Sequence, residues 1–156
     1  MRVALVTVGT RMPPWVREGY EDYSRRLKAR LPVTLLELPP GKRTNGGDDA
    51  RAIADEGKRL LASVRRDDYV VALDERGKQR SSLELSAWLK ERQQDGRDVS
   101  FLIGGPDGYA PEVLQRAQET WSLSRLTLPH ALVRVLFIEQ LYRAVTLIDG
   151  HPYHRE

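Results

Sequence analysis

Five short apolar runs alternate with helical patterns along this chain, and that alternation constrains its fold more than any other feature. Residues 2–8, 33–38 ("VTLLEL"), 69–73 ("YVVAL"), 99–103 and 122–128 are β-branched or leucine-rich and bounded by Gly, Pro or Arg, which reads as five strands. Between them Val16, Tyr20, Tyr23, Leu27 and Leu31 recur at spacings of four and three, and Ile53, Leu60, Leu61 and Val64 do much the same. Ser81 and Glu84 form a capping-box pair ahead of Leu85, Trp88 and Leu89. Pro111, suited to a first helical position, predicts a short helix from 111 to about 118. Strands alternating with helices over 156 residues predict one α/β domain, residues 1–156, with a mostly parallel sheet and helices on both faces.

The last helical segment, 131–148, is apolar nearly all round, with only Arg134, Glu139, Gln140 and Arg143 interrupting. Such a helix must be buried on more than one side. Either part of it packs against a second copy, making a homodimer, or it is a core helix of a single chain. Residues 39–49, "PPGKRTNGGDD", read as a mobile loop. No apolar run approaches the roughly 20 residues of a membrane span, and Met1-Arg2 leads into a strand rather than a signal peptide, so a cytoplasmic protein with no membrane partner is expected. With no cysteine there is neither a disulfide nor a thiolate metal site. The net charge of +3 permits an acidic partner. Between residues 11 and 30, Arg11, Arg17, Arg25, Arg26, Lys28 and Arg30 stand against only Glu18, Glu21 and Asp22, either as a surface for a phosphate backbone or as a solvated helix face.

Ligands of parallel α/β sheets bind beyond the carboxyl ends of strands, where Gly104-Gly105-Pro106-Asp107-Gly108 falls. The stretch is neither a dinucleotide fingerprint nor a phosphate loop, and it could equally be a tight turn into a helix. Leu73 and Asp74 stand at another strand end, where they could flank a ligand or cap a turn. Residues 121–134, "WSLSRLTLPHALVR", read as a strand ending at Pro129 on which Leu123, Leu126 and Leu128 could support a planar heterocycle or simply fill the core. The terminus "GHPYHRE" gathers an imidazole, a phenol and a guanidinium, although chain ends are often idle. His151 and His154 lack a third ligand, so no metal is expected.

Taken together, "LIGGPDG", "WSLSRLTLPHALVRVLFIEQLYRA" and "HPYHRE", on a chain opening "VTVGTRMPPWVREGYEDYSRRL", resemble the ribosomal large-subunit pseudouridine N3-methyltransferase family of the SPOUT, or α/β-knot, superfamily. The resemblance runs almost end to end and is strongest in the second half. It implies an S-adenosyl-L-methionine-dependent homodimer with a C-terminal trefoil knot, acting on a stem-loop of 23S rRNA, with the ribosome as partner. It places cofactor contacts on Leu73, Gly104, Leu123, Ser124, Arg125, Leu126, Thr127 and Leu128, the glycines leaving backbone to meet the ligand. It assigns the chemistry to the tail. His154 would accept the N3 proton or orient a water, Tyr153 would pack or hydrogen-bond the base, and Arg155 would meet phosphate. Two alternatives stay open: a non-catalytic ribosome-binding module, and a small-nucleotide hydrolase, which lacks a G-x-S-x-G elbow or a carboxylate cluster.

Overall fold

Alternating side chains divide the strands between two cores. A computed structural model describes residues 1–43 and 49–155, so much of the glycine-bearing loop expected at 39–49 lies outside the described residues, as do the side chains of His154 and Arg155. The strands are β1 (Val3–Val8), β2 (Val33–Leu38), β3 (Tyr69–Gln79), β4 (Val99–Ile103) and β5 (Glu119–Ser122). They form one sheet in the order β2-β1-β4-β3-β5, every neighbouring pair parallel. On one face Leu5, Val71, Phe101 and Ile103 pack with side chains of α1 (Pro14–Leu27), α3 (Ser82–Asp95) and α5 (His130–Asp149). On the other, Val6, Val8, Val70 and Leu102 meet α2 (Asp49–Ala62) and α4 (Pro111–Arg116). The expected architecture, a parallel sheet covered on both faces, is the observed one.

Local signals explain most element boundaries. The capping box at α3 is complete: Ser81 Oγ accepts from the Glu84 amide at 3.1 Å, and Glu84 accepts from the Ser81 amide at 3.2 Å. The helix beginning at Pro111 ends at Arg116 rather than near 118, because the Gln118 amide donates to the Val70 carbonyl at 2.8 Å and joins the sheet. Strand β3 continues to Gln79, past the expected end at Leu73. Its pairing with β4 nevertheless stops at Leu73, and its register with β5 shifts between Leu73 and Lys78.

The fifth strand needs a larger correction. Of the expected 122–128, only Ser122 is in a strand: β5 runs from Glu119 to Ser122, and the chain continues irregularly to Pro129. Ser122 Oγ donates to the Ser124 carbonyl at 2.8 Å, and Ser124 Oγ accepts from the Leu126 amide at 2.9 Å. These side-chain bonds bend the backbone off the sheet edge despite the alternating leucines that imitate a strand.

Helix α5 packs against both α1 and α3, burying Phe137, Ile138, Leu141, Ala144 and Val145. Much of its apolar surface is therefore consumed within one chain, while Leu136 stays exposed. On α1, Arg25 and Arg26 pair with Asp22, and just beyond it Arg30 pairs with Asp149, so half of the basic cluster is committed to ion pairs. Among the described residues no helix is long and apolar enough to cross a membrane.

Candidate functional site

The carboxyl ends of β3 and β4 open into a cavity of about 410 Å³, within the size range of small-molecule sites. Three separate segments wall it. Leu73, Asp74 and Glu75 come from β3, Gly104 to Pro106 with Gly108 and Tyr109 from the turn after β4, and Leu123, Ser124, Leu126, Thr127 and Leu128 from the irregular loop after β5. His130 and Val133 of α5 close it. Seven of the eight residues expected around a cofactor thus lie on one cavity, whereas Arg125 is exposed and outside the lining. The absence of a strand at 123–128 matters chemically, because backbone that pairs with no neighbouring strand can serve a ligand. A second cavity of similar size lies beside the first and shares Trp121 to Ser124 and Leu128 as a common wall.

The turn after β4 is held by a residue that the sequence reading missed. Tyr109 Oη accepts from the Gly104 amide at 2.9 Å and lies 2.8 Å from the carbonyl oxygens of both Leu73 and Leu102, so its one proton joins it to the ends of β3 or β4. Burial pushes this phenol far above its ordinary range, so it stays protonated. Gly104 lines the cavity and is also packed closely by Tyr109. A Cβ there would stand 2.8 Å from the Tyr109 ring, so the missing side chain makes room for the tyrosine. The only advance signal was an aromatic following the glycines in "GGPDGY".

Below the turn a buried carboxylate pairs with a partly exposed arginine. Glu56 on α2 is 2% exposed; it accepts from the Gly41 amide at 2.9 Å and from Arg43 Nη1 at 2.8 Å. Arg43 Nε also donates to Asp107 at 2.7 Å, tying the turn to α2 and the 41–43 segment.

The first turn of α5 is fixed to the end of β1. Arg134, 2% exposed, donates to Glu37 at 2.8 Å and to the Gly9 carbonyl at 2.7 Å. His130 Nε2 lies 3.1 Å from the Val8 carbonyl, which requires that nitrogen to carry the proton. Burial lowers the His130 pKa, opposed by the Val8 bond, and Arg134 lowers it further; the imidazole facing the cavity is neutral at pH 7. This is the one histidine outside the terminal segment, and sequence reasoning passed over it.

The terminal segment folds back on its own chain. Gly150, at φ +70°, ends α5 in a left-handed cap, and the His151 amide donates to the Thr146 carbonyl at 2.9 Å. Arg30 grips Asp149 through two hydrogen bonds of 2.6 and 2.5 Å. A 3₁₀ turn, Pro152–Arg155, then sets the half-buried Tyr153 against α5, where its hydroxyl donates to Glu139 at 2.9 Å. Tyr153 therefore sits on the middle of α5, while His130, at that helix's start, faces the cavity.

Residues 1–154 match the protein family described as "Predicted SPOUT methyltransferase". The chain is 53% identical over 155 residues to "Ribosomal RNA large subunit methyltransferase H" of Methylococcus capsulatus, covering 99% of this chain and 100% of that one. It is 51% identical to the protein of the same name from Alkalilimnicola ehrlichii, with 99% of each chain covered. A crystal structure described as a probable methyltransferase from Bordetella pertussis Tohama I superposes with a TM-score of 0.56 at 16% identity, over 92% of this chain and 94% of that one, a likeness of fold alone.

Proposed function

We propose, from the premise that this chain belongs to the SPOUT methyltransferase family, that it methylates N3 of a pseudouridine in 23S rRNA with S-adenosylmethionine as donor, acting as a homodimer on the assembled ribosome. The observation that carries the proposal is the cavity formed where three sequence-distant segments meet at the carboxyl end of the sheet. Its donor set fits the cofactor: apolar walls for a heterocycle, backbone of the 104–108 turn and 123–128 loop for its edge, and the carboxylates of Asp74 and Glu75 for positive charge. Arg125, outside the lining, would contribute through its backbone. The reading includes a knotted C-terminal half, which the parallel order β1-β4-β3-β5 allows.

When bound, S-adenosylmethionine supplies an electrophilic methyl group on a sulfonium, which leaves the protein to hold the base in line and to accept the N3 proton. The tail carries the residues suited to that work. His154 takes the proton or orients a water that does, Tyr153 orders the base, and Arg155 meets phosphate. Within one chain Tyr153 rests on Glu139, nine residues along α5 from His130, a separation of about 13 Å at the helical rise. This supports a composite site, in which the tail of one protomer completes the crevice of its partner.

The test is methyl transfer to assembled ribosomes, with mass spectrometry of the rRNA reading N3-methylpseudouridine. Calorimetry should detect S-adenosylmethionine binding both to the full chain and to a chain lacking residues 151–156, and only the full chain should methylate. Mixing the tail-less chain with a crevice-blocked one should restore activity in heterodimers. Confirmed subunit exchange without recovery would refute the composite site, and cofactor binding without any methyl transfer would leave a non-catalytic ribosome-binding module.

A further inference from the structure

We infer that Glu139 is a positioning residue for methyl transfer, acting through Tyr153 to set where the terminal segment stands; the inference rests on the tail being part of the reacting site. Tyr153 is enclosed by three contacts of different kinds. Its hydroxyl donates to Glu139 Oε1 at 2.9 Å, its ring meets Tyr142 edge-on with centroids 4.6 Å apart, and the Arg143 guanidinium lies over the ring at 5.2 Å. The Tyr23 hydroxyl of α1 stands 3.4 Å from that of Tyr153.

Glu139 is itself oriented by its neighbours. Arg143 donates to Oε1 from Nε at 3.0 Å and from Nη2 at 2.8 Å, one helical turn away, and Gln140 donates to Oε2 at 2.8 Å. A half-buried carboxylate with four donors has little freedom. The charges facing it bind the group rather than leave it to solvent, so Glu139, at 2.9 Å, is the nearer acceptor for the tyrosine proton and the Tyr23 hydroxyl, at 3.4 Å, the farther one. The effect on the tail is geometric. Six terminal residues joined only through the glycine cap at Gly150 would sample many positions. Anchorage at Tyr153 shortens the free length on either side and holds the phenol against α5.

The sequence pattern fits this division of labour. Glu139, Tyr142 and Arg143 are spaced three and four apart on α5, so they share one helix face, and Tyr153 returns to it after the chain reversal at Gly150. None of the three lines the 410 Å³ cavity, so their action on methyl transfer must pass through the tail.

The experiment compares Glu139→Ala, Glu139→Gln, Tyr153→Phe and the double variant Glu139→Ala/Tyr153→Phe in the full-length chain, with assembled ribosomes as substrate. Glu139→Ala should lower kcat by about tenfold or more, the scale of a misplaced reacting group, while calorimetry gives an unchanged Kd for S-adenosylmethionine and sedimentation an unchanged assembly. Glu139→Gln keeps an acceptor oxygen and should fall nearer wild type. The two single effects should not add in the double variant, because both remove the same bond. A tail deletion that still methylates would remove the composite-site reading and this inference with it. An inactive tail deletion beside a Glu139→Ala variant with wild-type kcat, or additive losses in the double variant, would overturn this inference alone.

Discussion

Glu119, the first residue of β5, offers a direct test of what holds the crevice wall. Its carboxylate receives four donors: Tyr69 Oη at 2.5 Å, Trp88 Nε1 at 2.7 Å, Arg80 Nη2 at 2.5 Å and Trp121 Nε1 at 3.1 Å. Burial alone would raise its pKa, but the four hydrogen bonds outweigh it and bring the pKa from 4.5 down to about 2. The sign follows from that direction. A carboxylate depressed in the folded state stabilises it fully above pH 4.5, and the stabilisation is lost as pH falls towards 2. The whole difference corresponds to about 3 kcal/mol, of which about 2 kcal/mol disappears between pH 6 and pH 3. The side chain is 21% exposed, so screening by water trims this rather than cancels it. Urea denaturation of wild type and Glu119→Gln at intervals over that pH range should show wild type clearly more stable at pH 6. The gap should narrow by about 2 kcal/mol by pH 3, because only wild type loses a charge. Two stability curves running parallel across the range would refute the reasoning, since the hydrogen-bonded carboxylate would then carry no charge-dependent stabilisation. The consequence reaches the site, because Trp121, held by Glu119, lines both cavities.

Three further outcomes are expected. Gly104→Ala should destabilise the fold by about 1–3 kcal/mol in denaturant titration, because its Cβ meets the Tyr109 ring; pairing it with Tyr109→Leu should recover part of the loss, and strict additivity would contradict the contact. Arg134→Met strands the buried side of Glu37 and leaves the Gly9 carbonyl without its donor, which should cost about 3 kcal/mol or more by urea denaturation, whereas Arg30→Met, which breaks an exposed pair with Asp149, should cost under about 1 kcal/mol. The His130 imidazole should titrate by NMR below an ordinary histidine, so that it becomes charged, and its hold on stability weakens, only as pH falls; a midpoint at or above the ordinary value would place it outside the buried, Arg134-facing setting.

Where one residue's neighbours along the chain decide its conformation, the sequence was sufficient. The period of apolar residues placed α1, α2, α3 and α5, the Ser81 and Glu84 pair marked the start of α3, and β2 and β4 fall where their apolar runs predict. The alternation of strand and helix implied the parallel sheet, because parallel strands need long crossovers. The failures share a cause. Residues 123–128 carry a strand's alternation, yet the chain there is bent by serine bonds and has no partner strand, and availability of a partner is a property of the assembled sheet. That Gly104 must also leave room for Tyr109, five residues on, is visible only once the turn is folded. His130 became a cavity residue, and Arg134 a buried cation, only once α5 was laid against the end of β1, more than 120 residues away in sequence. Tyr153 found Glu139 only after Gly150 reversed the chain. Periodicity and capping are short-range effects written in adjacent residues, whereas which polar groups become buried together depends on tertiary contacts that no local pattern encodes.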